Sequence, residues 1–234
     1  MYICSIEYKS NIIAMTKCNK YLRMIWALLA LPVFLFTGCL KEGTETIVLP
    51  EPYGKIPYDV IPEQIQDELS MRGFIIHEGV NPVTIKGKFK ASPMICEYAS
   101  DGVRLDFVQL YMEFSGQRPR GKIDYIQGQS DTIFLDEAQI NDVIGNAERA
   151  RVIGEDSNFT MYCIQTIQLD KASWSKTASV VSGTFTKHGI KDFQYAEYII
   201  DKEDEWGRIS EVGTYRYWND GDGLAEKYFK SSDK

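Results

Sequence analysis

Histidine is almost missing: His77 and His188 are the only two in 234 residues, and each lies near a glycine at the edge of an element. Zinc sites and acid–base catalysis draw first on histidine, and neither residue has ligand spacing around it, so both read as loop residues. The chain also has no Gly-x-Ser-x-Gly elbow and no glycine loop of the kind that cradles phosphate. Common hydrolase and nucleotide-binding signatures are therefore lacking. The apolar run over residues 24–36, interrupted by Pro32, falls short of the roughly 18 residues that a membrane-spanning helix requires. Basic residues are in the minority, with 26 Lys and Arg against 33 Asp and Glu for a net charge of −7. A surface of that sign repels phosphate backbones, and no local Lys/Arg cluster interleaved with aromatics opposes it, which argues against nucleic acid as a partner.

The acidic residues do not assemble a site either. Asp201, Glu203, Asp204 and Glu205 read as a charged hairpin tip, because local sequence cannot set the carboxylate separation of a glycosidase. The stretch NDGDG over residues 219–223 is rich in oxygen ligands but lacks the D-x-[DN]-x-[DN]-G register of a calcium loop, so it reads as a turn. No catalytic residue, metal ligand or cofactor is assigned from the sequence.

What the chain does have begins at its amino end. Lys17, Lys20 and Arg23 precede the apolar run over residues 24–36, the arrangement of a secretory signal, and Met15 makes a better start for it than Met1. The junction Phe36-Thr37-Gly38-Cys39 resembles the lipobox of bacterial lipoproteins, with Phe36 where leucine is usual, a relaxed form typical of Bacteroidota. That resemblance implies that residues 1–38 are a signal peptide and that Cys39 becomes the lipidated first residue. Several acyl chains at ~0.8 kcal/mol per buried methylene make such an anchor permanent. The segment ahead of Cys39 carries Lys9, Lys17, Lys20 and Arg23 against Glu7, so its removal leaves a still more acidic protein. Leu40-Lys41-Glu42-Gly43-Thr44-Glu45 partly resembles the export signal of Bacteroidota outer-membrane lipoproteins and implies an outer-membrane address, with the cell surface favoured over the periplasmic face.

Pro50, Pro52 and Pro57, with Gly43 and Gly54, mark residues 39–58 as an extended tether at ~3 Å per residue, part of which could lie along the domain as a strand. The rest, residues 59–234, reads as one β-rich domain. It opens on a short helix in which Ile61, Ile65 and Leu69 share a face, with Pro62 and Glu63 at its start and Gly73-Phe74 at its stop. From residue 83 the period becomes two: Val83, Ile85, Phe89 and Ala91 alternate with Thr84, Lys86, Lys88 and Lys90. Further strands are expected over residues 104–114, 122–127, 132–135, 150–154, 159–169, 178–186, 195–201 and 211–218, with a bulge at Phe107-Val108. Short strands at this spacing predict an all-β fold, an antiparallel up-and-down barrel or else a β-sandwich.

The order of elements, a helix, then GVNPVTIKGKF, then a strand meander containing GEDSNFTMYC and VVSGTFTKHGI, is similar to lipocalin-like barrels among uncharacterised Bacteroidota lipoproteins. Such a barrel implies a small-ligand cavity between its strands. Cys96 and Cys163 form either a disulfide or two buried thiols. Trp174, Trp206 and Trp218 are candidates for stacking against a glycan, or else for packing. The expected function is a lipid-anchored envelope protein that binds a small apolar ligand or serves as an interaction module or, alternatively, binds a surface glycan as an accessory protein. A glycoside hydrolase is the least supported reading.

Overall fold

The computed structural model describes residues 53–130, 146–170 and 172–228. The lipobox, Cys39 and the strand expected over residues 132–135 lie outside them. Helix α1 (Glu63–Met71) follows Pro62, whose carbonyl accepts from Ile65 N–H at 2.9 Å and Gln66 N–H at 3.1 Å. It stops in a Schellman motif: Gly73 N–H donates to the Ser70 carbonyl at 3.1 Å and Phe74 N–H to the Leu69 carbonyl at 3.0 Å. Gly73 makes this possible with a φ of 108°. The apolar side of the helix, with Leu69 and Phe74, is buried in a cluster that also takes in Ile56, Val60 and Ile61. Folded structure therefore starts inside the stretch expected to be tether. Gly54 is already tied in, its carbonyl accepting from Gly79 N–H at 2.9 Å.

Eleven strands follow among the described residues: β1 (Val80–Pro82), β2 (Gly87–Ala91), β3 (Met94–Ala99), β4 (Gln109–Ser115), β5 (Asp124–Ser130), β6 (Asn146–Asp156), β7 (Asn158–Asp170), β8 (Ser173–Phe185), β9 (Gly189–Asp204), β10 (Tyr215–Asp220) and β11 (Leu224–Lys227). The all-β class and the single short helix are as expected. The sheet is mixed, however, and curls into a half-barrel rather than a purely antiparallel up-and-down barrel. Its order is β1-β6-β7-β8-β9-β11-β2-β4-β5, and β1 runs parallel to β6.

The departure from a simple meander comes from β9. One edge of this strand pairs with β8 along its length, while the other is shared between β11, around Gly189 to Lys191, and β10, around Gln194 to Tyr198. The sheet forks there, and β10 carries β3 on its far side. The flanks of the curl meet at an isolated bridge between Lys122 and Arg151, beside a 3.1 Å hydrogen bond from Ile123 N–H to the Ala150 carbonyl. Phe107 forms another such bridge, with Met94, so the parity shift expected to be a bulge is instead the approach to β4.

Close backbone packing explains Gly154, with φ 138°: a Cβ there would sit 2.2 Å from the Asn158 carbonyl oxygen, so the tight β6–β7 turn needs glycine. The sheet buries both faces. Even-numbered Tyr162, Ile164, Ala178 and Val180 meet α1, whereas odd-numbered Phe159, Met161, Cys163 and Val181 face the concave interior. Phe89, Phe114 and Phe159 fill that interior edge to face, with centroids 5.8 and 6.4 Å apart.

Candidate functional site

Along the concave face the interior positions change from apolar to polar toward one end. On β7 the inward series runs Phe159, Met161, Cys163, Gln165 and Ile167; on β8 it runs Val181, Ser179, Thr177 and Ser175. Register aligns these changes, with Gln165 opposite Thr177, Ser179 opposite Glu197 and Glu197 opposite Arg216. At this end lies a cavity of about 290 Å³ bordered by Gln127, Gln165, Thr177, Glu197, Ile199 and Arg216 from the strands. Arg208, Ile209 and Ser210 of the β9–β10 loop complete its wall.

Arg216, only 5% exposed, is held on all sides. Its Nε donates to the Val103 carbonyl at 3.1 Å, its Nη2 donates to Asp101 and to Ser210 Oγ at 2.8 Å, and its Nη1 lies 3.5 Å from Glu197 Oε1. Burial pushes the Glu197 carboxyl up from the usual carboxylate range, and the Arg216 guanidinium pulls it part of the way back. The loop is equally fixed. Asp204 accepts from Ile209 N–H at 2.7 Å, Lys202 Nζ reaches both the Ile209 carbonyl and Glu211 at 2.9 Å, and Arg208 donates to Ser173 Oγ at 3.1 Å. The cavity is thus preformed.

Its floor is a chain of hydrogen bonds. Tyr125 Oη donates to Gln127 Oε1 at 2.9 Å, Gln127 Nε2 to Tyr195 Oη at 2.8 Å, and Ser179 Oγ to Gln165 Oε1 at 2.9 Å, with Tyr195 and Ser179 3.4 Å apart. Burial raises the pKa of both phenols, so they remain protonated donors. Gln165 is 1% exposed, and its Nε2 has no hydrogen-bond partner among the described residues. A buried amide donor left unpaired costs about 1–3 kcal/mol, which a bound acceptor would recover.

None of these residues stands out in the sequence. The available signal was polar residues at inward parity on strands that are otherwise apolar inward, but it becomes legible only once each strand's inner face is known. The residues singled out beforehand lie elsewhere. Trp218 is 3% exposed, stacked on Tyr195 at 5.3 Å with Nε1 donating to the Leu105 carbonyl at 2.7 Å, so it belongs to the core and offers no stacking face. Trp174 is half-buried, its Nε1 on Glu203 at 3.0 Å, while Trp206 is 65% exposed on the β9–β10 loop. The fold does not join the three into one platform. Cys96 and Cys163 are separate buried thiols rather than a disulfide, and burial pushes both up in pKa.

His77 is half-buried and His188 lies on an exposed turn. Among the described residues no three His, Cys, Asp or Glu side chains gather as a metal site. Asp201, Glu203 and Glu205 are exposed and Asp204 caps the loop, so none of this group borders the cavity. Of residues 219–223, Asn219 and Asp220 still belong to β10 and only 221–223 form the turn to β11, where Gly223 N–H donates to the Asp220 carbonyl at 3.0 Å. A second depression, at the seam between β5 and β6, gathers Arg118, Lys122, Arg149 and Arg151, cations from two sequence-distant segments. No family model matches the chain, and neither a curated protein nor a solved structure is significantly similar to it.

Proposed function

We propose that this protein is a membrane-tethered binding module that holds a small polar molecule in the cavity at the open end of its half-barrel. The unpartnered, fully buried Gln165 Nε2 beside a preformed cavity carries this reading, since a donor kept dry without an acceptor is a standing cost in the empty state. The apolar ligand expected of a lipocalin-like interior is disfavoured, because aromatic and methionine side chains fill the apolar part of the concavity. Titration of the isotope-labelled full chain in detergent with glycerol, N-acetylglucosamine and glucuronate should move the amide signals of Gln127, Gln165, Thr177 and Ser210. Shifts scattered over the outer surface, or none, would show the reading to be wrong.

The tether in this proposal is Cys39, lipidated after cleavage of residues 1–38, which places the domain at the outer membrane and, by the following charged residues, at the cell surface. Cys39→Ala is expected to leave the domain folded and move it from the membrane fraction to the soluble or uncleaved pool. Its retention as a processed protein in washed membranes would remove the anchor.

A further inference from the structure

Resting on the reading of this cavity as a ligand site, we infer that its ligand is an uncharged, polyhydroxylated molecule of monosaccharide size that places an acceptor oxygen on Gln165 Nε2. The first argument is the direction of the hydrogen-bond chain. Amide and hydroxyl groups could run it in either sense, so the deep end decides. With Tyr125 donating to Gln127 Oε1, each link is satisfied in turn and the leftover group is the buried NH₂ of Gln165, a residue that borders the cavity. In the reverse sense two groups are left over, the Gln165 carbonyl oxygen and the hydroxyl hydrogen of Tyr125, a core residue 4% exposed. The forward sense puts the unsatisfied donor where it can be answered, and the answering group is an acceptor.

Charge gives the second argument. Three ions border the cavity: Arg216 and Glu197 answer one another, with Asp101 taking a further Arg216 donor, and Arg208 is held on Ser173 Oγ at 3.1 Å. A ligand bearing a net charge would have to be desolvated without an unpaired counterion from this pair. Neutral hydroxyl groups, each both donor and acceptor, suit Gln127, Ser175, Thr177 and Ser210.

The third argument is shape. Ile167 stands opposite Ser175 and Ile199 opposite Thr177, and Ile209 also lines the wall, so apolar and polar side chains are interspersed as suits a ring with hydroxyls at its rim and C–H bonds on its faces. At about 290 Å³ the space lies at the lower limit of the ~300–1,000 Å³ usual for small-molecule sites. Below it, Tyr195 and Trp218 stack and close the way to the apolar interior, so an acyl tail has nowhere to go.

The test is isothermal titration of the full chain in detergent with glucose, galactose, mannose and N-acetylglucosamine, against glucuronate, glucosamine and octanoate. At least one neutral sugar is expected to bind more tightly than all three charged probes. Gln165→Met, which keeps the side-chain length and removes the donor, should weaken that sugar at least tenfold while unfolding cooperatively. If Gln165→Met does not fold, Thr177→Val on the same cross-strand row should weaken it severalfold. Preferential binding of glucuronate or glucosamine at the cavity overturns the ligand class and leaves the polar binding module standing; preferential binding of octanoate overturns both, and a Gln165→Met protein that binds the sugar unchanged overturns the contact to Gln165. Binding of no probe at all overturns both.

Discussion

Arg216→Met is expected to cost about 3–5 kcal/mol of folding stability at neutral pH, because it leaves Glu197 charged beside the cavity, and Asp101 nearer the surface, without their guanidinium. Methionine retains much of the packed stem, so the loss reports charge more than volume. Its pH dependence has a definite sign. Burial already raises the Glu197 pKa, and without Arg216 nothing in the pair opposes that rise. A carboxyl whose folded pKa lies above its unfolded value of ~4.3 loses stability as pH climbs past that value. The deficit relative to the parent should therefore be smallest near pH ~4 and widen toward neutrality. Adding Glu197→Gln should restore about 1–3 kcal/mol, the coupling typical of residues in direct contact. Urea titrations across that range provide the measurement, and a deficit of equal size at both ends would assign the loss to packing instead.

Asp220 provides the second large effect. It closes β10 at 5% exposure, with Oδ1 accepting from Ser92 N–H at 3.0 Å and Oδ2 without a partner among the described residues. Burial, and then the neighbouring Asp222 carboxylate, push its pKa up to about 7. Between its unfolded value of ~3.9 and this folded value, the native state holds a proton that the unfolded chain has released. Stability should accordingly fall as pH rises through that window, by up to about 4 kcal/mol at ~1.4 kcal/mol per unit, and level off above it. Asp220→Asn keeps the acceptor for Ser92 and abolishes the ionisation. It should equal the parent near pH ~4 and exceed it by several kcal/mol at pH ~8, read from denaturation midpoints. Parallel profiles for the two proteins would mean that Asp220 does not titrate in this window.

Local patterns were legible where one physical rule governs a few consecutive residues. The helical spacing of Ile61, Ile65 and Leu69 and the Gly73-Phe74 stop produced α1 as expected, because capping and amphipathicity act within one or two turns. Alternation around Phe89 and over residues 159–169 marked β2 and β7. Three strands escaped notice. β1 is three residues ending in proline, β3 begins straight after Pro93, and β11 reads Leu-Ala-Glu-Lys, with none of the β-branched or aromatic residues that announce a strand. Trp218, open in the sequence between glycan stacking and packing, is a packing residue, and the sequence leaves that undecided for a related reason. Its exposure depends on what stacks against it, and Tyr195 lies on a different strand.

By itself, then, the sequence determined the β-rich class, the opening helix and the amino-terminal pattern from which lipidation at Cys39 is proposed, all features written in contiguous residues. Tertiary structure alone decided the fork at β9, the mixed order of the sheet and the cavity. Gln127, Gln165, Thr177, Glu197 and Arg216 come from five strands, and nothing in their local surroundings marks one from another polar strand residue. They become a site because strand register puts their inner faces in adjoining rows, and because burial turns a surplus donor on Gln165 from a hydrated group into an unanswered one.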